Sequence, residues 1–256
     1  MPWDASRARL VSQGKPPHID WDMLLLTVRD VTRHTRIAMT GPSSAVVQSL
    51  KHSFETSTLI VEPYKHWVLK GCLPDDVATD VISLPFQAPS LAGVSGKREL
   101  HNNTRTYFDA ANQARFASVK SVSEALQDPA TTGMIERRFG INLKGAYLRI
   151  EYAMDVDEFW LEPHTDLGVK LFTMLLYLST DPRHRDLGTD IYDANKKHVS
   201  RPPFESNSAL VFVPSNNTFH GFEKRKIEGV RKSVIINYVT NEWKAREQLA
   251  FPSNPI

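Results

Sequence analysis

The chain has one cysteine, Cys72, in 256 residues. An intrachain disulfide is excluded, which fits a reducing compartment. Nothing in Leu69-Lys70-Gly71-Cys72-Leu73-Pro74 resembles a nucleophile motif, so Cys72 is expected to be a buried apolar thiol. Long apolar runs are also missing. The longest near the N-terminus, Met23-Leu24-Leu25-Leu26, falls far short of the ~20 residues of a membrane helix. No signal-like apolar core precedes it. A cytoplasmic protein without a membrane partner is expected. Nor is there a charge excess: a formal net charge of +2 gives no footprint for nucleic acid. The one basic run, Lys224-Arg225-Lys226, is flanked by Glu223 and Glu228 and is expected to be a solvated turn. No repeat or low-complexity segment is visible.

What the chain does have is a change of texture along its length. Residues 1–18 are polar with Pro16-Pro17 and read as a loosely attached arm. Trp21, Leu24, Leu25, Val28 and Val31 recur at helical spacing after Asp20, predicting a helix to His34. A second helix is predicted over Ser43–His52, capped by Ser43 or Ser44. Strands are expected at 58–61 and 66–69, a helix from the Leu73-Pro74-Asp75-Asp76 segment to Leu84, and a Pro/Ser/Gly-rich loop over 87–97. A strand is expected within 102–108 and helical segments over 109–139, broken at Asp128-Pro129 and stopped by Gly140. After Gly145 strands dominate, at 147–152, 159–164, 172–178, 189–192, 209–213, 218–221 and 233–239, separated by turn residues. Many short punctuated strands predict an antiparallel sandwich or barrel. The fold class is therefore mainly β with flanking helices, one domain over 1–256. Residues 1–144 are mostly helical support, and 145–240 form the β core.

Three His-x-Asp triplets occur: His18-Ile19-Asp20, His164-Thr165-Asp166 and His184-Arg185-Asp186. Asp20 is better explained as a helix cap, and His184 lies in a polar loop expected to face solvent. Only His164 ends an apolar strand segment with a second strand beyond it, where alternate residues share a face. His220 follows 54 residues after Asp166. Two histidines and a carboxylate on one octahedral face are the usual donor set of an oxygen-activating Fe(II) site. Arg231 comes 11 residues after His220 and shares a strand face with Ser233. An arginine fork and a hydroxyl suit a carboxylate ligand.

This ordered set resembles the Fe(II)/2-oxoglutarate-dependent oxygenases over residues 145–240. The resemblance implies a double-stranded β-helix (a cupin-like jelly roll), with the N-terminal helices as its buttress. It further implies that His164, Asp166 and His220 ligate Fe(II), and that Arg231 and Ser233 bind the distal carboxylate of the cosubstrate 2-oxoglutarate. Leu175-Leu176-Tyr177-Leu178-Ser179 is similar to the prolyl-hydroxylase-like branch, where the matching tyrosine, here Tyr177, also bonds that carboxylate. Tyr152, twelve residues before His164, matches a position near the metal in that branch. Leu187-Gly188-Thr189-Asp190 resembles its Gly-Gly-x-Thr strand with one glycine missing. A carboxylate at Asp166 argues against the related halogenases. Asn237 stands where the nucleic-acid demethylases carry a second arginine, which counts against such a substrate. The activity implied is hydroxylation of a C–H bond by O2, coupled to decarboxylation of 2-oxoglutarate to succinate. The expected substrate is a small polar molecule such as an amino acid, sugar acid or natural-product intermediate. Hydroxylation of a protein side chain, or a non-catalytic cupin-like metal-binding module, are the alternatives. Substrate contacts are sought at Arg105, Arg149 and Asn237. Arg149 is assigned either to an anionic substrate or to pairing with Glu151 or Glu162. Arg105 is expected on the surface, and contact by either arginine would call for a carboxylate or phosphate on the substrate.

Overall fold

The computed structural model describes residues 41–88, 96, 105–166 and 168–256. The arm at 1–18, the helix expected from Asp20 to His34 and most of the 87–97 loop lie outside them.

Helix α1 spans Pro42–Glu55 and buries Val46, Val47, Leu50 and Phe54 on one face. It starts one residue before the expected caps because Pro42, which has no N–H to lose, takes the first helical turn after Gly41. A hairpin of β1 (Thr58–Ile60) and β2 (His66–Lys70) follows, then α2 (Asp75–Ile82). Strand β3 is short, Thr106–Tyr107. Helices α3 (Ala110–Arg115), α4 (Ala117–Gln127) and α5 (Pro129–Phe139) come next. Asp128 separates the last two and caps α5 by accepting from the Ala130 N–H at 2.7 Å. Gly140 ends α5 in the left-handed region, φ 69°, where a side chain would be strained.

The β core comprises β4 (Tyr147–Asp155), β5 (Leu161–His164), β6 (Lys170–Tyr177), β7 (Asp190–Tyr192), β8 (His198–Ser200), β9 (Ser208–Phe212), β10 (His220–Phe222) and β11 (Arg231–Val239). Strand β8 carries no apolar alternation and was not expected. Two antiparallel sheets result, in the orders β1-β2-β9-β6-β11-β4-β3 and β5-β10-β7-β8. The chain passes from one sheet to the other between β4 and β7 and again between β8 and β11, the winding of a jelly roll.

Alternation assigns every residue of the central strands to one of two environments. On β4, β6 and β11, Leu148, Ile150, Tyr152, Phe172, Met174, Leu176, Val234, Ile236 and Tyr238 face the helices and form the larger apolar core with α1, α2, α4 and α5. Leu175, Tyr177 and Ile235 face the smaller sheet and pack with Ile191, Phe204, Phe212 and Phe222. Burying a side chain of this size is worth about 1.5–3 kcal/mol, so the register of β11 between β4 and β6 is strongly held. A one-residue slip would exchange the two faces. Cys72 lies in the larger core, fully buried, and burial pushes its thiol up to about 12. No helix among the described residues is long and apolar enough to cross a membrane.

Candidate metal centre

His164 closes β5 and His220 opens β10, and the two are directly paired across the strands. Gly221 lets them approach. A Cβ there would sit 2.7 Å from the Leu161 carbonyl oxygen and 3.0 Å from that of Glu162. The imidazole centroids are 4.4 Å apart. His164 Nδ1 lies 2.8 Å from the Glu162 carbonyl oxygen, and His220 Nδ1 lies 2.9 Å from that of Thr218. A carbonyl can only accept, so both Nδ1 atoms carry the proton and the lone pair sits on Nε2. That is how metal-binding imidazoles are usually oriented.

Asp166 follows on the crossing to β6 and is buried. Its Oδ2 accepts from the Thr173 hydroxyl and its Oδ1 from Lys170 Nζ, both at 2.6 Å. Ligand atoms of His164, Asp166 and His220 all lie within 4.8 Å of one another. Two imidazole nitrogens and one carboxylate fit a divalent transition metal of the Fe(II) type. A second acidic cluster, Asp190, His198 and Glu223, is close enough to hold an ion. Its one buried carboxylate is already committed, however: Asp190 accepts from Arg201 at 2.5 Å and from Arg225 at 2.8 Å. It ties strands together instead.

The triad lines one wall of an open pocket. Arg231, Ser233, Tyr177 and Thr189 also line it. Arg231 Nε donates to the Leu187 carbonyl at 2.7 Å, and its guanidinium stacks between Phe204 and Phe222 at 4.6 and 4.8 Å. The Tyr177 hydroxyl donates to Thr189 Oγ1 at 3.0 Å. Burial pushes the Tyr177 phenol above its ordinary value, opposed by the Thr189 hydrogen bond and by Arg231.

Several sequence expectations need correction. Tyr152 is not at the pocket. The position the resemblance implied is out of phase with the pocket face of β4, and Tyr152 faces the helices, donating to the Val81 carbonyl at 3.0 Å. The pocket face of β4 carries Glu151, Ala153 and Asp155 instead. Arg105 is not on the surface. It is buried and donates to Asp155 at 2.9 Å, with Glu151 at 3.3 Å. Burial alone would lower its pKa, but the two carboxylates outweigh burial and raise it. Arg149 turns inward yet stops short of the pocket. It pairs with Glu151 at 2.6 Å, not Glu162, and packs 4.9 Å from both Tyr107 and Trp243. Asn237 lies on the Arg231 face, but its side chain is spent on Arg149, at 3.3 Å, and on Thr173, at 2.9 Å. His184 is buried, bonded to Ser179 and to the Glu228 carbonyl, each at 2.6 Å. Arg225 of the basic run turns inward to Asp190, while Lys224 and Lys226 stay exposed.

Sequence reasoning missed Lys170, Thr173 and Asp155, and foresaw Glu151 only as a possible partner of Arg149. Together with the expected residues they form a continuous polar chain: Arg231, Asp155, Arg105, Glu151, Arg149, Asn237, Thr173, Asp166 and Lys170. Part of the signal was present, since Arg149, Glu151, Thr173 and Asn237 interrupt otherwise apolar strands, whereas Asp155 and Lys170 stand at strand ends outside the expected spans.

No protein-family model and no curated protein matches the chain. Solved structures do. A prolyl 4-hydroxylase from Phytophthora capsici aligns over 81% of this chain and 68% of its own, at 11% identity and a TM-score of 0.53. A prolyl hydroxylase from Trichoplax adhaerens, in complex with a hypoxia inducible factor peptide, aligns over 88% of this chain and 95% of its own, at 14% identity and a TM-score of 0.49. The first of these likenesses is one of fold.

Proposed function

We propose that this chain, which has the jelly-roll fold expected of the Fe(II)/2-oxoglutarate oxygenases, is itself such an oxygenase and hydroxylates a C–H bond of a small polar molecule. The observation that carries this reading is the pair of histidines whose Nδ1–H groups are fixed by carbonyls, with Nε2 lone pairs beside a buried carboxylate. In this reading His164, Asp166 and His220 hold the iron. When bound, iron and 2-oxoglutarate would supply the oxidising chemistry toward O2. The rest falls to the chain. Asp166 keeps its orientation through Thr173 and Lys170. Arg231 and Ser233 would receive the distal carboxylate of 2-oxoglutarate, the guanidinium through its terminal nitrogens and the serine through its hydroxyl, and Tyr177 would join them by turning its hydroxyl from Thr189. Phe159, Leu161, Leu175, Phe222 and Ile235 give the pocket apolar walls that exclude water.

The test is succinate formation from 2-oxoglutarate. It should require added Fe(II), vanish in His164→Ala and fall steeply in Arg231→Ala. Succinate release unchanged in both variants would overturn the assignment. Oxygen-consumption screening against small acids and against proline-containing peptides separates the substrate classes, and stimulation by peptides alone would make the enzyme a protein side-chain hydroxylase.

A further inference from the structure

Arg231 is not an idle guanidinium. Its Nη1 donates to Asp155 Oδ2 at 2.5 Å, and the two residues face each other in register at the ends of β11 and β4. Both are buried, and both line the pocket. A carboxylate arriving at Arg231 therefore meets another carboxylate already there. Two like charges sharing one buried cation repel, so an arriving carboxylate weakens the hold of Asp155 on Arg231.

The same geometry supplies an alternative partner. The other oxygen of Asp155, Oδ1, already accepts from Arg105 Nη1 at 2.9 Å. Arg105 is anchored independently through Nε to Glu151 at 3.3 Å, and its guanidinium lies 5.6 Å from the Phe159 ring centroid. A small rotation of the Asp155 carboxylate would leave it on Arg105 with its charge still compensated. Removing a partner without such compensation is what makes buried ion pairs costly to break.

We propose that Asp155 is a resident competitor for Arg231, displaced on to Arg105 by the distal carboxylate of the cosubstrate, and so the residue that sets cosubstrate affinity. This rests on the oxygenase reading above. It assigns Arg105 the role of receiving Asp155, in place of a substrate contact. It also predicts opposite signs for two neighbouring substitutions, which a merely structural role for the pair would not give.

The experiment is anaerobic calorimetric titration of the full chain, loaded with Fe(II), with 2-oxoglutarate and separately with 2-oxobutyrate, which lacks the distal carboxylate. Asp155→Asn should bind 2-oxoglutarate on the order of tenfold more tightly than the parent, because the resident charge is gone. Its affinity for 2-oxobutyrate should be unchanged. Arg105→Gln should bind 2-oxoglutarate on the order of tenfold more weakly, because Asp155 loses its second partner and stays on Arg231. If Asp155→Asn fails to fold, Arg105→Gln alone still decides, since equal or tighter binding there refutes the proposal. Unchanged or weaker 2-oxoglutarate binding by a folded Asp155→Asn overturns it as well, and leaves Asp155 as a positioning residue for Arg231. Absence of 2-oxoglutarate binding by the parent chain would instead overturn the oxygenase reading, and this proposal with it.

Discussion

Replacing Thr173 with valine removes one hydroxyl from β6 and keeps the side chain's shape. That hydroxyl donates to Asp166 Oδ2 at 2.6 Å and accepts from Asn237 Nδ2 at 2.9 Å. A hydrogen bond to a charged acceptor contributes about 1.5–3 kcal/mol. At about 1.4 kcal/mol per factor of ten, losing the orientation of the carboxylate should weaken metal binding roughly 10- to 100-fold, the range seen when partners of metal ligands are removed. Lys170 still holds the other oxygen of Asp166, so the carboxylate stays in place but turns more freely. Asn237 keeps the Phe172 carbonyl at 3.3 Å, which limits the loss of stability to about 1–2 kcal/mol. Competition for Fe(II) or Mn(II) against a chromophoric chelator under anaerobic conditions measures the affinity, with a thermal melt as the fold control. Thr173→Ser, which keeps the hydroxyl, should stay within a few-fold of the parent. A folded Thr173→Val that binds metal within twofold of the parent would refute the claim that Thr173 orients Asp166.

Two further substitutions probe the frame around the site. Gly221→Ala puts a methyl 2.7 Å from the Leu161 carbonyl oxygen, so β5 and β10 must separate. A stability loss of about 1–3 kcal/mol and weaker metal binding are expected, read as melting temperature with and without metal; a parent-like melt would show that the strands yield freely. Tyr152→Phe removes a hydrogen bond on the helix side of β4, so 2-oxoglutarate affinity should be unchanged while stability falls by about 1 kcal/mol. A loss of cosubstrate affinity at parent-like stability would return Tyr152 to the pocket.

The strands from 147 onward were legible because apolar runs bounded by turn residues leave little choice. The placement of His164, Asp166 and His220 around one pocket was anticipated from their order along the strands with Arg231 and Ser233 and from the family resemblance, since the His-x-Asp triplet occurs three times. The failures share a physical origin. The Tyr152 expectation was carried over from the resemblance by its distance from His164, whereas the environment of a strand residue is fixed by parity. Arg231 pairs with Asp155, which makes the odd residues of β4 the pocket face and Tyr152 a core residue. Arg105 and His184 were expected in solvent because their sequence neighbours are polar. Their burial depends on partners far along the chain, Glu151 and Asp155 for one and Glu228 for the other. Long-range pairing of this kind leaves no local pattern. Strand β8 is held by its neighbour β7 and is largely exposed, so it lacks the periodicity that would have announced it.

The two histidines belong to adjacent strands of the smaller sheet, whereas Asp166 is held by Lys170 and Thr173 of the larger one. An ion bound by all three would therefore act as a rivet between the layers at the mouth of the barrel. Because such an ion binds the folded chain and not the unfolded one, it adds stability that grows with its free concentration, by about 2.7 kcal/mol at a hundredfold excess over its dissociation constant. A bound ion would thus couple this edge of the two sheets to metal supply: on its withdrawal β5 and β10 would lose a tie to β6, and proteolytic nicking of the metal-depleted chain would be expected to begin on that side.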